Sequence, residues 1–180
     1  DLVRSRGLGD VYKRQGYAYK SSKYVSKSNN QVIRLGNVKK DSLLINDKQV
    51  YISDEYAKAT ESFKIKDNDI LVTLTGTREK RDYFYCTVYH KTEGSPNLYL
   101  NQRVGLLRCN TNVIIPKMLK IMLNGEDLLS TIFATETGTA NQGNIGTSNV
   151  QKLLLALPPI SEQKRIVNRL EKIMQITKTL

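Results

Sequence analysis

The chain has 180 residues, 39% hydrophobic and 25% charged, which suits one ordinary domain or a domain with an appendage and excludes a second full domain. Such a chain buries roughly 70% of its unfolded surface, and its longest apolar runs fall far short of a membrane span. Twenty-eight basic against 17 acidic residues give a net charge of +11, while two separated cysteines, Cys86 and Cys109, and one histidine, His90, offer neither a zinc site nor a disulfide framework. No cofactor is expected, and without a readable targeting signal the expected location is the cytoplasm.

Taken in chain order, the first fifteen residues, DLVRSRGLGDVYKRQ, show no apolar periodicity and no cap. They read as an adapter-like, non-native and disordered tract to be set aside from the fold, with a basic arm reaching into a DNA groove as the rival reading. Residues 16 to 40 carry six basic residues (Lys20, Lys23, Lys27, Arg34, Lys39, Lys40) and no acidic one, whereas residues 41 to 69 carry seven acids against four bases. A basic segment beside an acidic one suggests a polyanion-facing side and a solvent-facing side; a merely solvated basic surface is the alternative.

QVIRLGNV (31 to 38), DILVTLTG (69 to 76) and NLYLNQRVGLLRC (97 to 109) are β-branched and leucine-rich runs that predict strands. Between the last two, Arg78, Lys80 and Arg81 precede Tyr83, Phe84, Tyr85 and Tyr89. That is the interleaving of cations for phosphates or guanine edges with rings for stacking or packing. PKMLKIMLNGEDLLSTIFA (116 to 134) has helical apolar spacing interrupted by Asn124 and Gly125, predicting two short core helices. TETGTANQGNIGTSN (135 to 149) lacks the spacing of a phosphate loop; Asn141, Gln142 and Asn144 offer the paired donor and acceptor amides that read adenine, or simply sit in a surface connection. Asp54, Glu55 and Lys58, the nearest approach to a nuclease constellation, read as solvated surface on a helix. No NPPY and no Walker motif occurs.

In LALPPISEQKRIVNRLEKI, Pro158 and Pro159 forbid helix behind them, Ser161 can cap and Glu162 suits the first turn. A helix is predicted from about residue 161, with Ile166, Leu170, Ile173, Thr177 and Leu180 recurring at spacings of four and three, and Val167 and Met174 widening the stripe. The stripe packs either on its own domain or, as the chain left to cover it is short, on a partner.

GYAYKSSKY, QVIRLGNV, DNDILVTLTGT, LNQRVGLL and TGTANQGNIGTSNVQKLLLALPPISEQKRIVNRLEKI come in an order that resembles the target recognition domain of a type I restriction-modification specificity subunit, from Gly16 to the end. The resemblance implies an α+β fold: a strand-rich recognition domain with short helices over 16 to 160, then from 161 to 180 the start of a coiled-coil-type spacer helix with a seam of Ile166, Leu170, Ile173 and Leu180. It implies sequence-specific binding of double-stranded DNA at one half of a bipartite target. The expected face comprises Lys20, Ser21, Lys23, Tyr24, Arg78, Lys80, Arg81, Tyr83, Asn141, Gln142 and Asn144. The implied partners are a second recognition domain met through paired spacer helices, a modification subunit and, through it, a restriction subunit. Catalysis would lie in those subunits. The alternative is the recognition region of a single-chain restriction-methylation enzyme whose catalytic part lies outside this sequence.

Overall fold

The run Ile70–Thr73 is buried at all four positions, so its strand must be covered on both faces. A computed structural model describing residues 4–7 and 11–178 shows how. In chain order it contains β1 (Arg4–Gly7), β2 (Val11–Gln15), β3 (Tyr24–Val25), β4 (Asn30–Ile33), β5 (Val38–Lys39), β6 (Ser42–Leu43), β7 (Tyr51–Ile52) and α1 (Asp54–Ala59). Next come β8 (Ile70–Thr73), β9 (Thr75–Thr77), β10 (Cys86–Val88), β11 (Asn97–Leu100) and β12 (Val104–Cys109). The chain then runs through α2 (Pro116–Leu123), α3 (Glu126–Phe133), β13 (Gln142–Asn144), α4 (Thr147–Gln151), β14 (Leu154–Leu157) and α5 (Ile160–Lys178). This is the expected α+β fold.

One antiparallel sheet has the order β10-β8-β12-β2, and a second the order β11-β4-β7-β3 with β11 and β4 parallel. Alternation along β8 divides its side chains between two cores. Ile70 and Val72 pack with Leu119, Leu123 and Ile132 of the helices, while Leu71 packs with Ile33, Leu98 and Leu100 of the second sheet. The apolar run from 97 to 109 is therefore two strands in different sheets, separated at the turn Asn101–Arg103, where Asn101 donates to Ile33 O and Val104 to Asn101 O. A third cluster, Tyr19, Val32, Ile52, Ala57 and Tyr99, backs the second sheet. The break at Asn124 and Gly125 ends α2 and starts α3, as the interrupted periodicity predicts.

The exclusion of the first fifteen residues is corrected for those the structure describes. β2 pairs with β12 from Gly105↔Gln15 to Cys109↔Val11, Val11 is 4% exposed, and the backbone of β1 pairs with β14. An edge strand carries polar and charged residues, so its apolar signal is thin. Arg14 shows what replaces it: the guanidinium donates to Ser62 O at 2.8 Å and lies 4.5 Å from the Phe63 ring centroid. Residues 1–3 and 8–10 of that segment, and Leu180 of the predicted seam, fall outside the described residues.

Helix α5 is also less detached than its stripe suggests. Gln163 is wholly buried, donating to Val113 O and Pro158 O and accepting from Ile115 N, each at 2.9 Å. Val167 is buried, Ile166 and Leu170 are half-buried, and Lys117 of α2 pairs with Glu171. Ile173 and Met174 are about half exposed, at 49% and 54%. The first half of the stripe thus packs on its own domain, and only the second half faces outward.

Candidate nucleic-acid interface

Strand β9 leaves the central sheet after Leu74 and pairs antiparallel with β13, bringing Gln142 opposite Thr77, Gly143 opposite Gly76 and Asn144 opposite Thr75. Arg78 N donates to Asn141 O at 2.9 Å, and Asn144 also bridges Thr137. The glycine- and amide-rich segment is therefore one arm of a ribbon, and the basic segment after β9 is its other arm.

A tyrosine pins this ribbon. Tyr83 is 2% exposed, lies edge-on to Phe133 at 5.2 Å and donates its hydroxyl to Glu136. A Cβ at Gly76 would come within 2.6 Å of Tyr83 Cβ, and one at Gly143 would run into Tyr83 Oη and Glu136 Oε1, so the facing glycines provide the slot the ring occupies. Tyr83 thus belongs to the core, which corrects its assignment to a binding face: a ring this enclosed cannot stack on a base. Glu136, the residue sequence reasoning passed over, also accepts from Arg78 Nε at 3.0 Å. Its signal was available, as it is the only charge in residues 135 to 149.

Arg78, Lys80, Arg81, Asn141 and Gln142 are exposed together on this ribbon, with Asn144 half-buried. Asp82 Oδ1 accepts from Thr77 N at 2.6 Å and Arg81 N donates to Arg78 O at 3.3 Å, closing the turn that carries the cations. Arg81 (φ 46°), Phe84 (φ 60°) and Ala140 (φ 47°) are half of the six non-glycine residues at positive φ among the described residues. Backbone held in this disfavoured region is concentrated here. Exposed guanidinium, ammonium and amide groups can contact phosphates and base edges.

The Lys20–Tyr24 segment lies elsewhere. Its strand pairs with β7 in the second sheet, its aromatic neighbours pack on one another (Tyr17–Tyr19 at 5.0 Å, Tyr19–Tyr56 at 5.4 Å), and Lys23 Nζ sits 5.0 Å from the Tyr56 ring centroid. Burial pushes the Tyr19 phenol up to about 12. Lys20, Ser21 and Lys23 are exposed and Tyr24 is half-buried. Among the described residues no hydrogen bond or ion pair joins this segment to the ribbon, so the structure brings two of the three predicted segments together directly. Asp54 and Glu55 sit in the first turn of α1, capped by Ser53. No group of three or more His, Cys, Asp and Glu able to hold a metal occurs among the described residues, nor is any helix among them long and apolar enough to cross a membrane.

The family model for the type I restriction modification DNA specificity domain matches residues 2–180. The chain belongs to that family. A search of curated protein sequences gives no match. Among solved structures, the specificity domain is similar to a chain from work on complex assembly and conformational transition of the type I R-M system, with a TM-score of 0.71 and 18% identity over 98% of this chain and 39% of that one. It is also similar to the HsdS subunit from Thermoanaerobacter tengcongensis (TM-score 0.66, 17% identity, 99% and 40% covered). The S subunit from M. genitalium gives a TM-score of 0.59 at 16% identity, with 96% and 39% covered. At these identities the likeness is one of fold, and the specificity domain spans about two fifths of each of those chains.

Proposed function

We propose that this specificity domain binds one half of a bipartite double-stranded DNA target as part of a type I specificity subunit. The observation that carries this is the ribbon of β9 and β13, which presents Arg78, Lys80, Arg81, Asn141 and Gln142 together on a chain of net charge +11. Lys80 neutralises phosphate, Arg81 reads a guanine edge, and the amides of Asn141 and Gln142 read adenine. Lys20, Ser21 and Lys23 add phosphate contacts beyond the ribbon. The chain does no chemistry itself: adenine methylation and cleavage belong to modification and restriction subunits that assemble with it, and the outward half of α5 pairs with the spacer helix of a second recognition domain.

Fluorescence anisotropy with the cognate half-site and a scrambled duplex tests this. Arg81→Ala or Gln142→Ala costs about 1 to 3 kcal/mol on the cognate duplex alone. Lys80→Ala weakens both duplexes alike and lowers the salt slope by about one unit. Equal losses on both duplexes for every variant would remove the base-reading role of the ribbon.

A further inference from the structure

A cavity of about 400 Å³ has a lining that includes Arg34, Asp47, Lys48, Asn101, Gln102 and Arg103. We propose that it is a subsite for a backbone phosphate of the bound DNA, an inference that rests on the DNA-recognition reading above.

The lining holds three permanent cations against one carboxylate, and none of the three makes an ion pair among the described residues. Arg34 carries a buried donor without a partner: its Nη2 donates to Lys48 O at 2.9 Å, while its Nε is buried with no acceptor. A guanidinium has five N–H donors, so most of this fork is unspent. The chemical class follows from what the lining lacks. It contains no aromatic ring on which a base could stack, and cations with amides are the donor set of phosphate recognition.

The walls are built rather than incidental. Asn37 Nδ2 donates to Leu44 O at 3.0 Å and Asp47 O at 2.7 Å, and its Oδ1 accepts from Arg34 N at 2.9 Å, tying the two loops of one side. The Asn101–Arg103 turn on the other side is joined in both directions: Gln102 N donates to Tyr17 O at 3.0 Å, and Leu74 N donates to Arg103 O at 3.2 Å. Tyr17 stands three residues before Lys20, and Leu74 immediately precedes β9. The wall at Asn101–Arg103 is therefore bonded to the chain shortly before the basic segment and to the residue just before the ribbon, the two predicted contact regions that no direct bond connects. A phosphate seated here would make them one continuous track.

The test uses the chain with a duplex of random sequence, measuring how affinity falls with salt concentration. The exposed pair is changed together as Lys48→Gln and Arg103→Gln; Arg34→Lys is a second variant that keeps charge but loses the fork, and Lys172→Gln on α5 is the control. One phosphate no longer neutralised lowers the slope by about 0.9, so the double variant should lose about that much, Arg34→Lys should weaken binding, and Lys172→Gln should leave the slope as it was. An unchanged slope in the double variant, with the Arg81→Ala and Gln142→Ala losses intact, would overturn the subsite alone. Failure of the unaltered chain to bind duplex DNA would overturn the recognition reading and the subsite with it. Titration with inorganic phosphate that saturates at the cavity while the double variant binds DNA normally would show an anion site unrelated to DNA, and would also overturn the proposal.

Discussion

Asp69 shows how one carboxylate at the start of a strand can carry a core. It is wholly buried, receives Arg108 Nε and Nη2 at 2.7 Å each and caps Lys66 N at 2.6 Å. The bidentate contact holds the Arg108 guanidinium above its ordinary range. Replacing Asp69 with Asn leaves that guanidinium without its counter-charge, and the expected loss is about 3 kcal/mol. Urea denaturation should show a lower midpoint with an unchanged slope. Gly143→Ala is a sharper test of the ribbon, since the added methyl meets Tyr83 Oη and Glu136. It should destabilise the protein by about 1 to 3 kcal/mol and weaken cognate DNA binding, whereas Ser148→Ala, at an exposed position nearby, should do neither. Sequence reasoning grouped these cations and amides by their chemistry alone; Arg78, Lys80, Arg81, Asn141 and Gln142 are exposed and Asn144 is half-buried. It misjudged Tyr83 because composition does not reveal which ring of a basic-aromatic run turns inward; that depends on the facing pair Gly76 and Gly143, distant in sequence.

Elements with strong periodicity were legible and those at edges were not. The α2–α3 break at Asn124 and the start of α5 after two prolines follow from local rules. β2 did not, because Lys13 and Arg14 occupy half-buried edge positions that read as surface, and the turn inside NLYLNQRVGLLRC was hidden by apolar residues on both sides. The stripe on α5 was visible, but not which part of it the domain covers. Gln163 decides that. Gln163→Leu leaves Ile115 N without an acceptor and two carbonyls without a donor, at an expected cost of about 1 to 3 kcal/mol. Ile173→Ser, at a half-exposed position on the same stripe, should change stability by no more than about 0.5 kcal/mol. Thermal unfolding of the two variants side by side checks the contrast; equal effects would mean that the helix is docked along both halves or along neither.

At the scale of the molecule, two sheets and the α2–α3–α4 layer bury groups that resist ionisation. Burial pushes the thiols of Cys86 and Cys109 and the phenol of Tyr19 up to about 12, above their ordinary values of 9.0, 9.0 and 10.0. Each group is then neutral in the fold at pH values where the unfolded chain has already lost the proton. The stability these groups contribute is complete below about pH 9 and is lost as pH rises towards about 12. Urea midpoints measured across that window should fall steadily, and the wholly buried Cys86 thiol should resist a thiol reagent at pH 8 until the chain unfolds. The order of sequence blocks already pointed to the family, because each block keeps its place along the chain; the ribbon could not be read that way, since it joins residues about 65 positions apart. Whether this ribbon reads DNA can be tested on the chain alone. Selection of duplexes by the chain from a randomised pool tests it most directly. A short enriched motif should emerge and disappear with Arg81→Ala and Gln142→Ala combined, while binding to unselected duplex persists. Enrichment of the same motif by that double variant would contradict it.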